Sequence, residues 1–230
     1  MPRGKNIPLA LLLAAVCPAA KGATASGDLF NAFAPGWRDH WREERLFTRP
    51  TLYDTVEESG TIVLHATSHA AHSGLVREIN LPHPHAARLH WRWKVSAPLS
   101  ANRLERTRAG DDYAVRVFVI FETSVIPLRT RAINYVWAAH EPIGSTFPSP
   151  YTRNVGMIVL RSGVGEAGQW RHEARDLSRD YESFFGRAPT RISAVAVLVD
   201  TDNTGLSAEA WLADLRVEHA ANRPMGPERP

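Results

Sequence analysis

Cysteine occurs once in the 230 residues, at Cys17, and lysine three times, at Lys5, Lys21 and Lys94. Past its N-terminal segment the chain can therefore form no disulfide, no thiolate metal site and no cysteine nucleophile. Catalytic signatures are missing as well. No G-x-S-x-G elbow, H-E-x-x-H pair or phosphate loop occurs, which removes the common serine-hydrolase, zincin and nucleotide-binding motifs. The apolar run at residues 7–16 falls short of the roughly 20 residues that a membrane-spanning helix needs. No transmembrane segment is expected.

That run follows Arg3 and Lys5 and precedes Ala23 and Ala25 in an A-x-A arrangement, the pattern of a secretory signal cleaved after Ala25. Cys17 follows the bulky Val16, where lipoprotein signals carry a small residue, so a lipid anchor is not expected. The 27 basic residues fall to 24 once Arg3, Lys5 and Lys21 are set aside, against 24 acidic ones. A balanced chain does not bind nucleic acid through its overall charge. Export, a thiol-free remainder and a single remaining lysine point to a bacterial periplasm.

Runs rich in Val, Ile and aromatics recur between turn signals at residues 61–67, 74–80, 88–95, 112–121, 132–138, 155–161, 169–175, 191–199 and 210–217. Nine strands at this spacing predict a single β-sandwich domain over residues 26–218, antiparallel and jelly-roll-like, with a disordered tail at 219–230. One short helix is expected over 177–186, with Ser178 as N-cap, Tyr181, Phe184 and Phe185 on one side and Gly186 as the stop.

The two-residue period then sorts the side chains. In "RLHWRWKV" the residues Leu89, Trp91, Trp93 and Val95 point one way, and His90, Arg92 and Lys94 the other. In "GDDYAVRVFVIFE" Arg116 shares its side with Phe118 and Ile120, where an unpaired guanidinium would be costly. Asp112 has the parity to pair with it, with Asp111 beside it. Asn134, Trp137, Arg161, Glu173 and Asp214 add polar or aromatic groups on other strands. Sugar rings stack on aromatic faces while their hydroxyls bond to Asp, Asn and Arg. A glycan cleft is the expectation, against the alternative that such alternation marks a solvated sheet face.

"DTDNTG", residues 200–205, matches the opening of a calcium loop, with Asp200, Asp202 and Asn203 as oxygen donors. Trp211 stands where an EF-hand would place its twelfth-position acid, leaving a non-EF calcium site or an Asx-rich turn. No other cofactor is expected. His65, His69 and His72 fall in a strand and a loop, without the geometry of a metal cluster, and read as surface residues.

"GDDYAVRVFVIF", "NYVW", "PYTRNVGMIVLRSG", "GQWRHEARD" and "DTDNTG" occur in an order that resembles the exported bacterial domain-of-unknown-function family 3047. Val199 and Ser149 depart from its pattern, where threonine and asparagine are expected. The resemblance implies an exported β-sandwich and supplies no activity. The reading is a periplasmic sandwich binding a glycan, in particular an acidic envelope polysaccharide or exopolysaccharide. Arg92, Lys94, Arg116 and Arg161 would hold hydroxyls or carboxylates, Trp137 would stack, Asp112 would orient Arg116, and Asp111 and Asn134 would complete the site. Two alternatives stand beside it. One is a polysaccharide lyase or hydrolase drawing on Asp111, Asp112, Glu122, Glu173, Asp200 and Asp214, with Tyr113, Tyr135, Tyr151 or His172 as a base. The other is a structural envelope protein held by internal ion pairs.

Overall fold

The computed structural model describes residues 32–45, 49–122 and 130–219, so the expected signal segment and nearly all of the expected tail lie outside the described residues. Among the described residues twelve strands form two sheets. They are β1 (Arg42–Arg45), β2 (Leu52–Glu58), β3 (Thr61–His69), β4 (Ser73–Pro82), β5 (Arg88–Val95), β6 (Arg116–Glu122), β7 (Arg131–Ala138), β8 (Thr146–Pro148), β9 (Val155–Ser162), β10 (Arg171–Asp176), β11 (Arg191–Leu198) and β12 (Ser207–Glu218). The larger sheet has the order β1-β4-β11-β6-β7-β9-β8 and the smaller β10-β5-β12-β3-β2. The expected jelly-roll-like sandwich is present. Every strand pair is antiparallel except β7 with β9.

All nine expected strands are found. The three missed ones lack the signal that found the others: β1 reads REER, β8 is three residues ending in proline, and β2 is an edge strand with a mostly exposed side. The strand beginning at Arg116 starts four residues later than expected. Asp111 and Asp112 precede it with their polar groups committed to side-chain bonds rather than to the ladder.

Between the sheets lies a core whose centre is aromatic. Trp91 meets Trp93 edge to face at 5.4 Å, Trp91 also packs on Tyr135 across the sandwich, and Trp93 meets Trp137 at 6.0 Å. The larger sheet is buried on its other side too. There Phe118, Ile120, Val136, Met157, Ala194 and Ala196 form a second cluster with Tyr113, Phe147 and the half-buried Tyr151. Apolar cover on both sides is why β6 reads "VFVIF" without a polar break.

The helix α1 (Leu177–Phe185) packs at one edge of the sandwich. Its N-cap is Asp176, which accepts the Arg179 N–H, in place of the expected Ser178. Ser178 instead donates to the Pro84 carbonyl at 2.5 Å. Gly186 ends the helix at φ 71°, as expected. Gly156 of β9 lets the helix approach, since a Cβ there would lie 2.7 Å from the Phe184 ring.

Candidate functional site

The residues singled out by alternation separate into four places. Arg116, 1% exposed, lies within the second cluster at the start of β6. Its partner is Asp200, which accepts Nε at 2.8 Å and also binds Nη2, while Asp111 accepts Nη1 at 3.3 Å. The expected partner, Asp112, is engaged elsewhere. It receives the backbone N–H and side chain of both Asn203 and Thr204 at 2.6–3.3 Å, and so closes the "DTDNTG" loop onto residue 112. The parity argument fails there because residues 112–115 precede the strand and do not alternate with it.

The same end of the sandwich holds His72, 6% exposed and so not a surface residue, whose Nδ1 lies 2.9 Å from Asp202 and 3.7 Å from Asp200. Among the described residues, His72, Asp200 and Asp202 are the three side chains whose ligand atoms cluster closely enough to face one cation. The expected calcium donors are otherwise committed. Asp200 serves Arg116, and Asn203 donates to Asp112 and accepts from Tyr151. Burial would lower the His72 pKa, but its bond to Asp202 and the charges of Asp200 and Asp202 raise it above the ordinary value. Asp200 is thus engaged by the Arg116 guanidinium and Asp202 by the His72 imidazole.

Burial pushes the Asp111 carboxyl up from 3.8 to about 7, Arg116 opposing and Asp200 and Asp112 adding to the rise. A group whose folded pKa exceeds its unfolded one contributes stability that is whole below the unfolded value and lost as pH rises through the folded one. His72 works in the same direction. The protein is thus expected to melt at a higher temperature at pH 5.5 than at pH 8. Asp111→Asn should flatten the profile. Parallel melting profiles for the two proteins would remove Asp111 as the titrating group.

Three other expected site residues lie apart from this cluster, Trp137 and Arg161 as register partners on β7 and β9 and Asn134 by itself. Trp137 is fully buried against Trp93 and packs the core, so it offers no face to a ligand. Asn134, also fully buried, sits on the other side of the same sheet and donates to the Met157 sulfur at 3.4 Å. Arg161, at the end of β9, binds Glu173 at 2.7 Å and Glu166 at 3.0 Å, and Glu173 also accepts the Trp93 indole N–H at 3.0 Å.

Arg92 and Lys94 face outward from the smaller sheet, and there the register assembles a row. Lys94 on β5 is opposite Trp211 on β12, which is opposite His65 on β3. Trp170, one residue before β10, falls beside Lys94 on the other flank. The Lys94 ammonium lies 4.3 Å from the Trp211 ring and 5.1 Å from that of Trp170, and Arg92 lies 4.6 Å from Trp170. His65 stacks on Trp211 at 5.0 Å and 15°. Both indoles are half-buried, so they remain in contact with solvent.

Both cations of this row have an acid beside them, and so does the His65 ring. Lys94 binds Glu58 at 2.5 Å, Arg92 binds Asp214 at 2.6 Å and His65 contacts Glu209 at 2.8 Å. The hydrogen bond from Lys94 holds the Glu58 carboxyl below its ordinary range. Asp214 owes its aim to a bulge between Ala213 and Arg216, where it takes the left-handed conformation at φ 54°. Lys94 and Arg92 were legible as outward residues. Trp170 and Trp211 were not brought to them, because only strand order places β10 and β12 on either side of β5.

A two-sheet sandwich with an aromatic and charged strip on one outer face is the class of protein these features define. The chain belongs to the protein-of-unknown-function family DUF3047, whose profile matches residues 39–216. No curated protein matches it. Among solved structures it is similar to the family 11 carbohydrate-binding module of the Clostridium thermocellum cellulase Lic26A-Cel5E, at 7% identity and TM-score 0.42, covering 79% of this chain and 88% of that one. It is similar to the xyloglucanase domain of NopAA from Sinorhizobium fredii at 11% identity and TM-score 0.45, covering 79% and 95%. It is also similar to the carbohydrate-binding module TmCBM61, at 9% identity and TM-score 0.39, covering 87% and 99%.

Proposed function

We propose that the protein is an exported, periplasmic glycan-binding module whose ligand lies on the outer face of the smaller sheet, along Trp170, Lys94 and Trp211. The observation that carries this reading is the row itself. Two solvent-contacting indoles are held in register across neighbouring strands, with hydrogen-bonding groups on either side. Sugar rings place their C–H faces on indoles and their hydroxyls on carboxylates and guanidinium groups. Because Lys94 and Arg92 are already matched by acids, a uronate would find no free cation along this row. The ligand of this face is a neutral glycan, which revises the sequence expectation of an acidic one.

Trp170 is the residue to change, since it lies outside the core and stacks on Arg92 and Lys94 with its solvent-contacting ring. Trp170→Ala should weaken binding of neutral β-linked polysaccharide at least about tenfold in affinity electrophoresis or calorimetry, with the unfolding transition unchanged. Retention of full affinity by the variant, or failure of the folded wild type to bind any neutral glycan, would sink the reading.

A further inference from the structure

A second concavity lies on the edge of the sandwich, away from the aromatic row. It is a cleft of about 710 Å³ between β9, β10 and α1, closed on one side by the turn that carries Ile143 and Gly144. One wall is apolar, formed by Ile158, Leu160 and Phe184, and Ile143 extends it although 60% exposed. The rest of the lining is largely charged, and its charges are unequally committed. Glu173 is neutralised from behind by Arg161 at 2.7 Å. Asp180 is held by Arg175 at 2.5 and 2.9 Å and by the Tyr135 hydroxyl at 2.7 Å, and Asp176 caps the helix. Arg88 and Arg179 also line the cleft, and both are exposed. Among the described residues neither side chain enters a hydrogen bond or ion pair.

We infer that this cleft is a second binding site, selective for a carboxylated sugar. Two guanidinium groups without internal partners offer planar, two-pronged donors that match a carboxylate. The apolar wall beside them suits the C–H face of the ring that carries it, and the volume admits one to a few sugar units. Of the acids lining the cleft, Glu173 is matched by Arg161 and Asp180 by Arg175, and Asp176 accepts the backbone N–H of Arg179. The site lies apart from the aromatic row, since Arg88 stands six residues from Lys94 at the other end of β5. One module would thus hold a neutral backbone on its face and an acidic unit at its edge.

The test is calorimetric titration of the purified protein with a galacturonate trisaccharide, the matching neutral galactose trisaccharide and inorganic sulfate, at low and high salt. The uronate is expected to bind and to weaken with salt. Neither the neutral sugar nor sulfate should displace it. The double variant Arg88→Ala/Arg179→Ala should lose at least tenfold in uronate affinity and most of the salt dependence, while Trp170→Ala leaves uronate binding intact and affects only neutral glycan. The inference is overturned if folded wild type gives no uronate binding, if the double arginine variant binds it as wild type does, if sulfate competes equally, or if Trp170→Ala abolishes uronate binding and so moves it to the sheet face.

Discussion

Replacing Arg116 by alanine is expected to destabilise the fold by about 3–5 kcal/mol. The guanidinium is held by both oxygens of Asp200, by the Asp111 carboxylate and by the Asp111 carbonyl, all at an almost water-free position. Burial would lower its pKa, but the charges of Asp200 and Asp111 more than offset that and keep it cationic. Its removal leaves two buried acids without a counter-charge, a loss large against the 5–15 kcal/mol that typically holds a domain together. Arg116→Lys should recover only part, because an ammonium cannot reproduce the two parallel bonds to Asp200. The triple change Arg116→Met/Asp111→Asn/Asp200→Asn should recover more than Arg116→Ala, since it removes the stranded charges along with their partner. Urea unfolding reads all three. A midpoint for Arg116→Ala within error of wild type would show that the cluster is solvated and carries little of the stability. Neutral glycan binding by whatever fraction stays folded should be unaffected, because the cluster does not belong to the sheet face.

A loss of comparable size is expected from Trp137→Ala, about 3–5 kcal/mol. Trp137 is fully buried, packs on Trp93 at 6.0 Å and donates its indole N–H to the Gly163 carbonyl at 3.4 Å. Truncation opens a cavity in the aromatic layer that joins the two sheets, and the stiff strands around it cannot collapse to fill the space. Trp137→Phe should retain more than half of the stability. The contrast with Trp170→Ala is the informative one: the core substitution lowers the melting temperature and spares ligand affinity, and the surface substitution does the reverse. Loss of glycan affinity in a fully stable Trp137→Ala protein would place that ring in a binding site and overturn its assignment to the core.

The lyase and hydrolase alternatives drew on a pool of acids that the fold distributes. Asp111, Asp112 and Asp200 enter the buried cluster, Glu173 is tied to Arg161 and Trp93, and Asp214 to Arg92. Of the bases considered, Tyr113 and Tyr135 are buried with hydroxyls bonded to the Glu105 carbonyl and to Asp180. Each of these five acids has a structural partner.

The positions of the nine main strands, the helix stop at Gly186 and the outward aim of Arg92 and Lys94 were determined by the sequence alone. Each follows from information within a few residues: a two-residue period, a turn signal, a glycine where the chain must enter the left-handed region. The sequence also determined that Arg116 required a carboxylate, since its neighbours on the same side are apolar. Tertiary structure decided which one. Asp200 lies 84 residues away along the chain, and only the pairing of β11 with β6 brings it to the guanidinium. Strand order likewise decided that Trp211 and Trp170 flank Lys94, that Trp137 faces Trp93 instead of solvent, and that both sides of the larger sheet are covered. Alternation along a strand tells which residues share a side. What that side meets depends on which strands lie beside it and what packs above it, and those are set by contacts between residues far apart in the chain.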